Sequence, residues 1–375
     1  MKTNPQSSSS ALPAPKSGIM DISAYVAGKS KAAGDIKKII KLSSNENTLG
    51  PSPKAIKAFT DHASLLHRYP DSAAAQLRDA IARVHGLDKD RIVCGAGSDE
   101  LIGLLVHSYA GVGDEVLYSE HGFLMYKIYT QSNGALPVTA REKNLTADVD
   151  ALLAKVTAKT KILFLANPNN PTGTYIPASE LKRLRSGLPD HVILAIDGAY
   201  TEYADKPDYS DGRELVDATE NTVMLRTFSK IYGLSSLRLG WGYFPASIAD
   251  VLNRVRGPFN VSGASIATGI AAVEDTAYTA QMKKHNSIWL AYMTTELTKL
   301  GLKVTPSLAN FLLVHFPAKD KTSGAANTFL MAHGIIPREV GNYGLPECLR
   351  ITIGTEEENR AVINALQEFM GSGRL

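Results

Sequence analysis

Lys230 stands where imine chemistry is possible. It follows Phe228 and Ser229 just past the apolar, β-branched-rich run Thr222–Thr227, and Arg238 comes eight residues later. A lysine amine at the carboxyl end of a buried strand can bond an aldehyde cofactor, while nearby hydroxyls and a guanidinium hold an anionic phosphate. The same dipeptide also reads as a surface loop, because charged side chains are mostly exposed. Three other clusters bear on the choice. Gly95–Glu100, GAGSDE, puts backbone N–H groups and the Ser98 hydroxyl at a helix start, with Asp99 in the same turn. Such a start suits a phosphate, and it is equally a tight turn with a capping Ser or Asp. It departs from the dinucleotide fingerprint GxGxxG at Glu100, and no acidic residue is convincingly placed at the end of a following strand for a ribose. Asp197 closes the run VILAID. A carboxylate there needs a positive partner, and a protonated pyridine nitrogen is one. A helix cap or a metal ligand are the alternatives, although DGAYTEY adds only Glu202 as a further acid. Tyr200 and Asn170 could each hydrogen-bond a ring oxygen. Taken alone, NPNNPTG around Asn170 is a rigid turn.

All four clusters fall at the carboxyl ends of expected strands, where open α/β sheets bind ligands. The patterning predicts strands at Arg91–Gly95, Glu115–Ser119, Lys161–Ala166, Val192–Ile196, Val223–Thr227 and Leu239–Phe244. Helices are predicted at Lys54–Leu66, Asp71–Val84, Gly97–Tyr109, Phe123–Gln131 and Ala178–Ser186. That alternation implies a mostly parallel sheet covered by helices. The last third differs: one or two long helices over Ala264–Leu300, short strands at Leu302–Thr305, Phe311–His315 and Leu349–Ile353, and helices near Gly324–His333 and Glu356–Met370. We expect a flexible tail over 1–18, a small α+β domain from 19–45 with 276–375, and a large domain over 46–275.

Composition excludes little but excludes it clearly. Net charge is +3, from 40 basic and 37 acidic residues, which gives no reason to expect nucleic acid or a membrane surface as partner. No apolar run approaches the roughly 20 residues of a membrane span, and the N-terminus lacks the apolar core of a secretory signal. A cytoplasmic location is the expectation. Cys94 and Cys348 form no CxxC or Cys/His cluster in the sequence, so no metal and no disulfide framework is expected. His121 and His315 are expected to be structural.

NPNNPTG, DGAY and TFSKIYGLSSLRLGWG, in this order and spacing, resemble the pyridoxal-phosphate aminotransferases of fold type I. Within these, NENTLGPSP, RYPD, GAGSDE and LRITIGT resemble the histidinol-phosphate aminotransferase subfamily, and the likeness runs from about Ile19 onward. The resemblance implies an α/β fold with a mostly parallel seven-stranded sheet and a smaller α+β domain. It implies Lys230 as the lysine that bonds the cofactor and moves the substrate proton, Asp197 as the partner of the pyridine nitrogen, and Tyr200 and Asn170 as hydrogen-bonders of the ring oxygen. Gly97, Ser98, Thr227, Ser229 and Arg238 match the phosphate cup, with Asp99 beside it. Phe123 takes the place of the aromatic stacked on the ring. Tyr69 matches a tyrosine that reaches the neighbouring subunit's cofactor, which implies a homodimer with shared sites. Arg350 and Arg338 match arginines that grip the substrate anion, and Tyr25 and Asn47 match pocket-lining residues.

The activity implied is ping-pong transamination of L-histidinol phosphate with 2-oxoglutarate in histidine biosynthesis. An aromatic or prephenate aminotransferase of the same subfamily, with single or dual specificity, is the alternative. A phosphorylated-amino-acid decarboxylase can share these motifs. A non-catalytic regulator on this scaffold is disfavoured by the intact Lys230 and by a tail too short for an added domain.

Overall fold

The computed structural model describes residues 14–16, 18–24, 28–29, 38–316 and 320–371. Most of the expected tail and the candidate Tyr25 lie outside these residues. Seven strands form the main sheet: β1 (Ile92–Gly95), β2 (Glu115–Ser119), β3 (Leu136–Ala140), β4 (Thr160–Ala166), β5 (Ile193–Asp197), β6 (Thr222–Thr227) and β7 (Gly240–Tyr243), in the order β1-β7-β6-β5-β4-β2-β3. β7 runs antiparallel to both its neighbours, and the pairs from β6 across to β3 are parallel. The mostly parallel α/β sheet is therefore present. β5 and β6 are buried at every position, as strands covered by helices on both faces must be.

Some boundaries differ for local reasons. The helix expected from Asp71 starts at Ala75. The Asp71 carboxylate accepts from the N–H groups of Ala73 at 3.0 Å and Ala75 at 2.8 Å, which makes a turn ahead of the helix. The stretch Ala264–Leu300 divides into helices Gly263–Glu274 and Thr276–Lys299, with a non-helical Asp275 between them. β3 was not anticipated; it is a half-exposed edge strand whose second residue is Pro137, so it shows neither alternation nor an apolar run.

Four antiparallel strands form a second sheet: β8 (Lys303–Thr305), β9 (Phe311–His315), β10 (Arg338–Glu339) and β11 (Cys348–Thr352), in the order β8-β9-β11-β10. Alternation gives it two uses. Leu312, Val314, Leu349 and Ile351 pack with Leu297, Val362 and Leu366 of the helices at Thr276–Lys299 and Glu356–Gly371. The opposite face carries Phe311, Leu313, Cys348 and Arg350. The segment after residue 38 is tied in beside this sheet: Ile40 and Lys41 form a separate parallel pair with Ile335 and Ile336, and the Asn45 amide donates to Thr352 Oγ1 at 3.0 Å.

Candidate active site

A cavity of about 480 Å³ opens at the carboxyl ends of the main-sheet strands, and Asp197, Thr227, Ser229 and Lys230 lie in its wall. The turn after β6 is fixed from both sides: the Phe228 amide donates to the Leu239 carbonyl at 3.0 Å, and the Gly233 amide to the Lys230 carbonyl at 3.0 Å. Lys230 Nζ thus stands 3.5 Å from the Ser44 carbonyl oxygen and 5.7 Å from the centre of the Tyr200 ring. Burial lowers its pKa to about 8, and the Arg350 guanidinium adds to the shift. A tenth of such an amine is already neutral at about pH 7, so it can serve as a nucleophile or a base.

Asp197 ends β5 and is buried. Tyr126 Oη donates to its Oδ2 at 2.7 Å, while Oδ1 has no hydrogen-bond partner among the described residues. Burial raises the carboxyl pKa, and the Tyr126 bond works against that rise. Tyr200 Oη accepts from Asn45 Nδ2 at 2.8 Å, which leaves its own hydrogen to donate. Arg350 donates from Nη1 to Asn170 Oδ1 and from Nη2 to the Ser43 carbonyl, the latter at 2.8 Å. The Asn170 NH₂ group is thereby turned to other uses.

The phosphate-cup candidates converge at the start of α1 (Ser98–Tyr109), whose leading residue Gly97 makes no side-chain cap. Its first amides are therefore left to an anion. Glu100, which breaks the dinucleotide pattern, folds back to accept from the Ala96 amide at 2.6 Å. Arg238 Nη1 donates to Ser229 Oγ at 3.3 Å, and the Ser229 amide donates to Thr227 Oγ1 at 3.1 Å. Gly97 has φ +84°, and a Cβ there would sit 2.8 Å from Arg238 Nη2. A Cβ on Gly240 would lie 2.2 Å from the Ser98 amide. Only glycine allows these approaches. Asp99 also lies in the cavity wall; its Oδ2 accepts from Tyr129 Oη at 2.8 Å, and burial raises its pKa.

A family model of aminotransferase class I and II matches residues 37–366. The chain belongs to that family. Its curated relatives include the histidinol-phosphate aminotransferase of Paramagnetospirillum magneticum, 59% identical over 362 residues that cover 96% of this chain and 99% of the relative. That of Rhodopseudomonas palustris is 55% identical over 359 residues, covering 96% and 98%. Among solved structures, the histidinol-phosphate aminotransferase of Sinorhizobium meliloti in complex with pyridoxal 5′-phosphate superposes with a TM-score of 0.88 at 28% identity, covering 97% and 99%. This aminotransferase is a pyridoxal-phosphate enzyme of fold type I. Its residues fit the cofactor: an orphaned carboxylate oxygen at Asp197, an uncapped helix start beside Arg238, and a lysine amine between them.

The remaining candidates are placed unevenly. Phe123 lies in the cavity wall at the entry of α2 (Leu124–Ser132). Asn47 does not: its Nδ2 donates to the carbonyls of Gly50 at 3.2 Å and Ile231 at 2.8 Å, so it fastens the loop, and Ser44 and Glu46 face the cavity instead. Arg338 is buried next to Arg350, its register partner across β10–β11. Tyr69 is 83% exposed, stacked on Phe259 of its own chain. Two residues were missed, Tyr126 and Asn45. Tyr126 follows Phe123 at a helical spacing of three, edge-on at 5.8 Å, and that spacing was a usable signal. No helix among the described residues is long and apolar enough to cross a membrane.

Proposed function

We propose that this aminotransferase moves the amino group of L-histidinol phosphate to 2-oxoglutarate, giving imidazole acetol phosphate and L-glutamate in histidine biosynthesis. The observation that carries the substrate is the buried pair Arg338 and Arg350, set opposite each other across β10–β11, with Arg350 bonded to Asn170 of the cavity wall. Two neighbouring guanidinium groups suit a phosphate dianion, and Arg350 alone suits the carboxylate of the second substrate.

Bound pyridoxal phosphate supplies an electron sink for the bonds at the substrate's amino-bearing carbon. Lys230 Nζ would hold the cofactor by its aldehyde, and its amine, neutral in part near pH 7, would move the proton at that carbon. Asp197 Oδ1 keeps the pyridine nitrogen protonated, and Tyr126 fixes the other oxygen of the same carboxylate. Tyr200 Oη and the Asn170 NH₂ group donate to the ring oxygen. Gly97, Ser98, Thr227, Ser229 and Arg238 hold the phosphate, with Asp99 at the rim, and Phe123 offers a ring face.

The exposed Tyr69 fits an arm that completes the site of a second copy, so a homodimer is the working form. Residues 19–45 and 276–375 act as one unit against 46–275, in a cytoplasmic enzyme. The test is a half-reaction: the cofactor-loaded protein is mixed separately with L-histidinol phosphate, L-phenylalanine and L-tyrosine, and loss of the bound-cofactor absorbance is timed. Fast conversion with histidinol phosphate alone is expected. Equal or faster conversion with the aromatic amino acids would move the enzyme to the aromatic class.

A further inference from the structure

Outside the cofactor cavity, β9 and β11 bring His315, 33 positions from Cys348 in sequence, to the adjacent pair Glu347 and Cys348. His315 and Cys348 are register partners across the antiparallel pair, and Glu347 precedes Cys348. Cys348 Sγ lies 3.2 Å from His315 Nδ1 and 3.7 Å from Glu347 Oε1. One ligand atom from each of the three residues lies within 4.8 Å of the other two. Tetrahedral zinc, with Zn–S about 2.3 Å and Zn–N about 2.0 Å, separates sulfur from nitrogen by about 3.5 Å. The Cys348–His315 separation of 3.2 Å lies within tenths of an ångström of that edge length, and the Glu347 carboxylate, on an exposed side chain, is within reach of both.

The surroundings support a site. His315 Nε2 is 2.8 Å from Thr305 Oγ1. With the ring proton on Nε2 and donated to Thr305, the Nδ1 lone pair faces Cys348, which is the orienting bond that metal-binding imidazoles usually have. Cys348 is buried, and Glu347 is exposed, so the cluster has a closed floor and an open side. Lys303, paired with His315 across β8–β9, places one positive charge nearby. A thiolate and a carboxylate balance a divalent ion, and the thiol proton leaves to solvent as the metal–sulfur bond forms.

We propose that His315, Cys348 and Glu347 form a binding site for Zn²⁺, with the fourth position open to water. The site staples β9 to β11 two residues before Arg350, on the same face of the strand. Zinc therefore fixes the strand that carries the substrate-anion arginine.

The experiment loads the full-length, cofactor-bound enzyme with one equivalent of zinc, removes excess by gel filtration, and measures retained metal and its X-ray absorption edge. One zinc per chain is expected, with one sulfur neighbour at about 2.3 Å and the rest nitrogen or oxygen. Cys348→Ser should remove the sulfur neighbour. Glu347→Gln, a surface change that leaves the core intact, should weaken zinc binding by about tenfold or more, since even supporting groups of metal sites act on that scale. The proposal fails if zinc is not retained, if its neighbours include no sulfur, if the sulfur persists in Cys348→Ser, or if Glu347→Gln binds zinc as the parent does.

Discussion

The cavity's floor and roof are held in different ways. On the floor, Asp197, Thr227 and Lys230 sit at or just beyond the ends of β5 and β6, adjacent strands paired by backbone hydrogen bonds. On the roof, Ser44 and Glu46 face the cavity, and Arg350, bonded to Asn170 of the wall and paired with Arg338 across β10–β11, backs them from a distant part of the chain. Arg350 reaches the Ser43 carbonyl at 2.8 Å, and Asn310 Nδ2 donates to the Asn45 carbonyl at 3.0 Å. The floor strands share one continuous ladder, whereas the roof combines two-residue pairings, Ile40–Lys41 with Ile335–Ile336 and Arg338–Glu339 with β11, with single side-chain bonds between segments. Floor changes should therefore appear in kcat, and roof changes in KM.

The largest effect should come from Lys230→Ala. Losing both the anchor and the base should lower turnover on the order of 10⁴-fold, measured as single-turnover transamination of the loaded protein. Asp197→Asn keeps the shape but not the charge, and kcat should fall about 10²-fold or more with KM little changed. If either variant raised KM and spared kcat, the division between floor and roof would collapse. Arg338→Gln tests the other side. KM for histidinol phosphate should rise about 10- to 100-fold, the worth of a charge-assisted bond, while KM for glutamate stays near the parent value. An equal rise for both substrates would mean that the two arginines act as one general anion site.

The same contrast explains what could be read in the sequence. Floor residues are legible because each lies within a few positions of a strand end, so a local motif carries both the strand and its chemistry: VILAID gives Asp197, and TFSK gives Lys230. Roof residues depend on which segments meet. Asn47 was placed in the pocket, but its amide is used by the Gly50 and Ile231 carbonyls, and its neighbour Asn45 does the work at Tyr200. Likewise His315 and Cys348 lie 33 positions apart and meet only through the register of β9 and β11. No spacing rule encodes that register. Arg238 shows the intermediate case: its role follows from the motif, but the need for Gly97 beside it appears only once the guanidinium is in place.

Acid–base behaviour sharpens the account of the floor. Because burial lowers the Lys230 pKa to about 8, its neutral fraction rises about tenfold between about pH 7 and pH 9. The rate at which cofactor-free protein captures pyridoxal phosphate should rise by that factor and level off above pH 9. A capture rate still climbing steeply beyond pH 10 would mean that the amine keeps an ordinary lysine pKa.

The smallest expected effect concerns a residue that touches no substrate. Tyr126 donates to Asp197 Oδ2 and so favours the carboxylate that burial disfavours. Tyr126→Phe removes one hydrogen bond to a carboxylate that stays ionised at neutral pH, so only about 1 kcal/mol of that bond should reach the barrier and kcat should fall only about fivefold. A fall of that size could also follow from loosened packing, since Tyr126 stacks on Phe164 at 4.6 Å, but phenylalanine keeps that ring contact. The pH profile separates the two causes. On the proposed role, activity depends on ionised Asp197 and should be lost as pH falls through its pKa. Without the Tyr126 hydroxyl that pKa rises further, so the acid limb of kcat should move to higher pH. A fivefold loss with an unmoved acid limb would assign Tyr126 to packing and leave Asp197 held by its strand alone.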